Sequence, residues 1–326
     1  VNPSNIHRII VSRTDGIGDV MLTLPMCIWL RNSFPSATLV YLCKKYTSPV
    51  VLSFAPVNEI LILEDLIALT QQERKKKLSA DILIHVFPNK TIASWALFTG
   101  IPHRIGTSHR WYHTFFCNHR PSFTRLHSPL HEAQLNFHLL KPLGLQEIPD
   151  FESINEVSAQ FRPSNESIPA FSNYVILHPL SQGSAMEYPL EKYEQLASEL
   201  VKQGKTVLIT GTSQERMRIE GRFANFPNVH NLMGELSLSQ LVLLIQNAYA
   251  LIACSTGPLH ISGALNVKTI GLFSARKPIH PGRWKPLGTD SHALVFDAGC
   301  VKCEQGEPCD CIQNINTTEI LDCVFK

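Results

Sequence analysis

No run among the 326 residues approaches the roughly 18 uninterrupted apolar positions that a membrane-spanning helix requires. The most apolar early segment, VVLSFAPVNEILILEDLIALT, is broken by one proline and three acids. The first residues, VNPSNIHRIIVSR, lead almost directly into a strand pattern, without the apolar stretch and small-residue cleavage site of a secretory leader. A cytoplasmic location is expected on that basis. Charge is sparse at 17% of residues, with a net of +2 and 44% hydrophobic residues. These values exclude a disordered chain, and the overall charge gives no reason to expect a nucleic-acid binder. Nine cysteines is an odd number. Five of them (Cys27, Cys43, Cys117, Cys254 and Cys323) are scattered and read as small apolar core residues of a reducing compartment.

One local absence is more pointed. From Ile82 to His131 there is no Asp and no Glu, while Lys90, Arg104, Arg110, Arg120 and Arg125 fall in the same stretch with seven histidines (85, 103, 109, 113, 119, 127 and 131). Aromatics are interleaved in HRWYHTFFCNHR. This composition suits a surface for an anionic partner, with association at a membrane face as one form of it. No nucleic-acid module matches here, so nucleic acid is not expected, and some of these histidines are structural.

What is present is an alternation of strand and helix signals. Strands are expected at 8–13, 38–45, 59–64 and 82–87, with amphipathic helical patterns between them. From about 151 to 172 the rhythm stops in a Ser-, Asn- and Pro-containing stretch. It restarts with strands at 174–179, 206–211, 250–255 and 268–273, with Gly204 and Ser237 as helix caps. The chain therefore reads as two doubly wound α/β domains, 1–155 and 173–326, joined by a linker at 156–172, with a ligand cleft expected between them.

Three loops carry candidate chemistry. In DGIGDV, Gly16 and Gly18 allow close backbone approach, but Met21 stands where a dinucleotide fingerprint has its third glycine. Asp19 reads equally as a helix cap or turn residue and as a reactive carboxylate. In CSTGPLHISGAL, a strand ending at Ser255 turns through Thr256 and Gly257 into a helix that bears His260. The free N–H groups of such a turn suit a diphosphate, and a capped helix with a buried histidine is the plain alternative. In HPLSQGSAMEYPLEKYEQL, Ser181, Gly183 and Ser184 precede a further helix. They could bind phosphate or form an ordinary connection. A fourth feature, Cys300-x2-Cys303-x5-Cys309-x-Cys311, supplies four thiolates of the kind zinc accepts. Its closing C-x-C is tighter than in usual zinc ribbons, so a reduced loop is the first reading and a structural zinc the second.

Taken together, RTDGIGDVMLTLPMCIWLRNSFP, HEAQLNFHLLKPLGL, HPLSQGSAMEYPLEKYEQLASEL, ITGTSQE, MGELSLSQL, STGPLHISGAL and HPGRWKPLG resemble, in order and over nearly the whole chain, glycosyltransferase family 9, the lipopolysaccharide heptosyltransferases. The resemblance implies a GT-B fold, with an amino-terminal acceptor domain and a carboxyl-terminal nucleotide-sugar domain. It implies inverting transfer without a catalytic metal, from ADP-heptose or a related donor to an anionic glycolipid acceptor at the cytoplasmic face of the inner membrane. Asp19 falls at the family's general-base position. Ser181 falls in its phosphate-contacting loop, Glu215 near the nucleoside, and Leu236 against the base. Thr256 and Gly257 fall at its diphosphate-facing turn, with His260 one turn further on, and Ser255 falls at a sugar- or ribose-facing position of the donor site. Arg104, Arg110 and Arg120 are the acceptor-binding candidates.

Two family residues are missing. Met186 replaces the usual Lys of K-x-W-P, and Ser255 replaces the Asp before T-G. Arg276, Lys277, Arg283 and Lys285 are the cations available as substitutes. These departures keep a second expectation open, a catalytically weakened relative that binds a nucleotide sugar or envelope glycan. A nicotinamide oxidoreductase is disfavoured by the incomplete glycine fingerprint and by the lysines that end VYLCKK.

Overall fold

The computed structural model describes residues 5–125, 128–162, 166–224 and 226–326; His127 and a few residues of the 156–172 segment lie outside them. The chain divides into two compact units. One comprises Val1–Asn155 with Ala159–Pro163, the other Glu156–Ser158 with Ser164–Lys326.

The first unit is built on five parallel strands: β1 (Arg8–Ser12), β2 (Thr38–Cys43), β3 (Glu59–Ile62), β4 (Ile82–His85) and β5 (His103–Ile105), in the order β3-β2-β1-β4-β5. The central strands are the continuous apolar runs, buried on both faces as parallel sheets require. The chain winds outward from β1 to β3 and then crosses back to β4. The loops after β1 and β4 therefore diverge, and a crevice opens at the carboxyl ends of that pair. Ile10, Val40, Leu83 and Ile92 lie at the heart of its core.

The second unit repeats the plan with six parallel strands: β6 (Tyr174–His178), β7 (Thr206–Ile209), β8 (Val229–Asn231), β9 (Ala250–Cys254), β10 (Lys268–Phe273) and β11 (Ser291–Val295). Their order is β11-β10-β9-β6-β7-β8, so the switch of direction falls between β6 and β9. The last helix, Thr317–Phe325, sets Ile320 and Val324 into this core, and the buried Tyr188 hydroxyl donates to Ile315 O at 2.9 Å.

Part of the stretch from 151 to 172, where the sequence rhythm stops, is structured. Phe151–Ile154 is helical behind an Asp150 cap, Phe161 pairs with Phe54, and Arg162 N donates to Ser53 O at 2.7 Å. Those contacts tie 159–162 to the first unit, although the sequence there shows no regular period.

Candidate active site

In the first unit, the turn after β1 gathers acids around one cation. Arg13 is almost fully buried, and its Nε donates to Asp15 Oδ1 at 2.7 Å. Its Nη2 pairs with Asp19, and its Nη1 donates to Asn136 Oδ1 at 3.3 Å and lies 3.5 Å from Glu132 Oε1. Glu132, also buried, pairs with Arg125 as well. Asn136 Nδ2 donates to Leu22 O at 3.0 Å, fastening the helix Glu132–Phe137 to the segment after β1.

Asp19 does not act as a cap. The helix Ile17–Met21 starts from Gly16 with no side-chain cap bond. The Asp19 carboxylate, one quarter exposed, is directed at Arg13 instead. A Cβ at Gly16 would stand 3.2 Å from Asp19 Oδ2, so a larger residue there would press on the carboxylate. Burial, aided by Asp19, pushes the Asp15 carboxyl up to about 6 against the pull of Arg13.

Close to this turn, β4 ends in His85, in register with Ser12. His85 is fully buried, neither ring nitrogen has a hydrogen-bond partner among the described residues, and burial pushes its pKa down to about 3. Its ring centroid is 5.4 Å from that of His113, whose Nδ1 meets Thr107 O at 2.9 Å.

The three arginines proposed from the acid-free stretch separate. Arg104 spends its guanidinium on the carbonyls of Ile101 and Phe116. Arg110 and Arg120 are exposed. In the same stretch of sequence Phe98, Trp111 and Phe115 are each at least two-thirds exposed, with Lys90 Nζ 5.0 Å from the Trp111 ring centre.

In the second unit, the loops after β6 and β9 flank the switch point. Ser181 is buried in the first of them. Its N and Oγ donate to Glu187 Oε1 at 2.9 and 3.0 Å, and Arg218 closes on Glu187 at 2.9 Å. The two Ser181 donors are thus engaged by the chain's own carboxylate. Met186, where the family has Lys, packs against the core.

After β9, Ser255 is half-buried and Thr256 begins the helix Gly257–Ala264 from an extended conformation. The Thr256 hydroxyl is buried, makes no cap bond, and has no partner among the described residues. Gly257 opens the first turn. His260 lies one turn in, buried, with its ring 6.2 Å from that of Trp284.

Glu215 and Leu236 follow β7 and β8, the next strands outward. Glu215 Oε2 accepts from Thr212 N and Oγ1 at 2.8 and 2.9 Å, a capping box. Leu236 is half-buried just ahead of the Ser237 cap. Burial also pushes His178, bonded to Thr210 Oγ1 at 3.0 Å, down to about 4. Cys300, Cys303, Cys309 and Cys311 come together as a set, with their Sγ atoms within 4.8 Å of one another.

Each group therefore lies at the carboxyl end of its own sheet. Gly16, Gly18 and Asp19 sit in the first unit. Ser181, Ser255, Thr256, Gly257 and His260 sit in the second, with Glu215 and Leu236 farther along the edge. Sequence reasoning missed Arg13, Asp15, Glu132, Asn136 and Glu187. The second acid of the glycine turn and the Glu of the HE helix were the available signals, but pairing across more than a hundred residues leaves no local pattern.

Known proteins share this plan. The model of glycosyltransferase family 9 (heptosyltransferase) matches residues 71–311. Lipopolysaccharide heptosyltransferase 3 of Escherichia coli K12 is 24% identical over 291 residues, covering 82% of each chain. Among solved structures, E. coli ADP-heptose lipopolysaccharide heptosyltransferase II superposes with a TM-score of 0.76 at 18% identity, covering 98% of this chain and 97% of its own. The E. coli heptosyltransferase WaaC with ADP gives 0.73 at 15% identity, covering 97% and 98%. The two switch-point sheets and the family match agree: the chain belongs to glycosyltransferase family 9, the heptosyltransferase family, and is a glycosyltransferase.

Proposed function

We propose that this chain transfers a sugar, heptose in the first instance, from a nucleotide-diphosphate donor to a lipopolysaccharide inner-core or related envelope-glycan acceptor, with inversion and without a catalytic metal. The observation that carries the reading is Asp19, a partly exposed carboxylate held by a buried arginine where the first sheet changes direction. The first unit binds the acceptor and the second the donor. Asp19 takes the proton from an acceptor hydroxyl as that oxygen attacks the anomeric carbon. The bond to the diphosphate breaks on the opposite face, and its electron pair leaves with the phosphate oxygen.

The N–H groups at Gly257 and the Thr256 hydroxyl, which has no partner among the described residues, are suited to that developing charge. Ser181, Ser255 and His260 line the same end of the sheet, and Glu215 and Leu236 receive the nucleoside. The ADP held by WaaC supports ADP-heptose as the first donor to try. When Asp19 accepts its proton, Arg13 keeps Asp15 and Glu132, so no buried cation is stranded.

On the acceptor side, Arg110 and Arg120 supply charge for an anionic glycolipid, while Arg104 shapes the loop behind them. The exposed Phe98, Trp111 and Phe115 favour peripheral association with the cytoplasmic face of the inner membrane. No helix among the described residues is long and apolar enough to cross a membrane. An ion bound by the four cysteines would be structural and take no part in transfer.

The test is transfer from ADP-heptose to a purified inner-core acceptor by the wild-type chain and by Asp19→Asn. A loss of about 100-fold or more in kcat is expected for removal of a general base, and full activity in the variant would sink the mechanism. A second reading, a weakened relative that binds donor or glycan without efficient transfer, is favoured by one observation: Glu187 already occupies the Ser181 donors. Restoring Met186→Lys and Ser255→Asp separates the two. A large gain with ADP-heptose marks decay, whereas a loss on the native donor marks altered specificity.

A further inference from the structure

The stretch that follows β11 folds with almost no apolar core of its own. Between Ser291 and Asp310 the one buried residue is Cys303. The segment nevertheless contains a defined helix, Val301–Gln305, closed by Gly306 at φ 75° and by a Glu307 N to Lys302 O bond of 2.9 Å. It is organised around sulfur. Cys303 and Cys311 are buried, Cys300 and Cys309 are half-buried, and all are free thiols. The only other buried member of the cluster is Ala275. An alanine and two thiols bury too little apolar surface to offset the ordering of such a segment. Four thiolates on one ion supply the missing constraint. Metal–sulfur bonds of about 2.3 Å place tetrahedral sulfurs roughly 3.8 Å apart, and these four Sγ atoms already lie within 4.8 Å of one another.

The position of the cluster gives it a task. Ala275 belongs to the loop that leaves the carboxyl end of β10, next to β9 with its Thr256 turn. The following residues are Arg276 and Lys277, two of the cations available to replace the lysine lost at Met186. Lys277 Nζ lies 3.5 Å from Glu304, within the cysteine helix. The Arg276 guanidinium lies against Gly306, where a Cβ would stand 3.8 Å from Nη2. The cysteine segment therefore backs the loop that presents these cations.

We propose that Cys300, Cys303, Cys309 and Cys311 bind one tetrahedral, thiolate-preferring metal ion, zinc or iron, and that this ion braces the Arg276–Lys277 loop at the donor end of the second sheet. Binding releases the thiol protons to solvent, forms four metal–sulfur bonds, and leaves the oxidation state of the ion unchanged. The bracing rests on the donor reading of the second unit; the metal site does not.

The experiment uses the full chain purified without chelator. Metal is counted by mass spectrometry after gel filtration and reconstitution with zinc or ferrous iron under reducing conditions. About one ion per chain is expected, with four thiols that become reactive only after a chelator strips the protein. The element counted by mass spectrometry identifies the ion, because a ferrous tetrathiolate absorbs in the near ultraviolet and is almost as colourless as a zinc site. The Cys303→Ser/Cys309→Ser variant should lose the ion. Less than about a tenth of an ion per wild-type chain after reconstitution overturns the site.

Bracing is read by tryptic cleavage after Arg276 in holo and stripped wild-type protein, which removes any question of a misfolded variant. Cleavage about tenfold faster in the stripped protein is expected if the ion suppresses local opening, and equal rates overturn the brace. Calorimetric titration with ADP is run beside it. A holoprotein that carries its ion and protects Arg276 but ignores ADP would remove the donor reading and leave the metal brace standing.

Discussion

At the scale of single residues, the glycine turn is governed by a cation that nothing in its local pattern announces. Arg13 is buried among three carboxylates, so Arg13→Gln leaves buried negative charge facing itself. A loss of about 3 kcal/mol or more is expected from uncompensated burial of this kind, measured by urea unfolding; a loss under about 0.5 kcal/mol would show that the cluster is solvated. Asp15 gives a signed pH effect. Its carboxyl titrates near 6 when folded and near 3.8 when free, so the folded state binds the proton more tightly. The stability it contributes is complete below pH 3.8 and is lost as pH rises through 6. Asp15→Asn should therefore gain on the wild type between pH 4 and pH 7, and a constant gap between the two urea midpoints would refute this. Glu187 makes the third case. On the proposed donor reading it sits where a phosphate oxygen would bond Ser181, so Glu187→Gln should tighten ADP binding several-fold, by about 1 kcal/mol, as one repulsive charge is removed near a partly exposed site. Weaker binding in calorimetry would assign Glu187 a positive role in holding the loop.

At the scale of elements, all eight strands expected from the sequence are present: β1, β2, β4, β6, β7, β9 and β10 as apolar runs buried almost throughout, and the edge strand β3 because three of its four residues are apolar. The strands that escaped, β5, β8 and β11, are edge strands of three to five residues in which Ile105 is the one buried position, and they contain too few apolar positions to set a period. The pattern from Leu66 to Ala80 reads as one charged helix but is interrupted at Thr70, where a capping box with Glu73 restarts it. Glu215 shows the same local logic. Its T-x-x-E spacing predicts the cap as well as it predicts a ligand contact. The helix bearing His260 depends on a contact that sequence spacing does not reveal. A Cβ on Gly263 would meet Leu287 O at 2.2 Å, and one on Gly288 would meet Gly263 O at 2.2 Å. Gly263→Ala should cost about 2 kcal/mol through overpacking and lower nucleotide affinity with it. Unfolding curves that superimpose on wild type would mean that the Pro286–Gly288 loop yields freely.

At the scale of the whole molecule, the doubly wound architecture was readable because strand and helix signals alternate twice. The candidate site was only half readable, since the turns lie in continuous sequence while their partners do not. Each unit has its own core. Donor nucleotide should therefore slow hydrogen exchange in the loops around Ser181, Thr212 and Thr256 and leave the β1 turn unchanged until acceptor is added. Protection of the Asp19 turn by ADP alone would reassign the nucleotide to the first unit.

The reach of Arg13 has one more consequence, for the order in which function appears during synthesis. Its bond to Asn136 spans 123 residues, and closure of so long a loop comes late in folding. A nascent chain that has not yet exposed the HE helix carries Asp19, the proposed base, without the full scaffold around its arginine. The acceptor half of the site should thus be completed in a single step, once the closing helix of the first unit has folded back on its opening strand, and activity should follow when the second unit has folded.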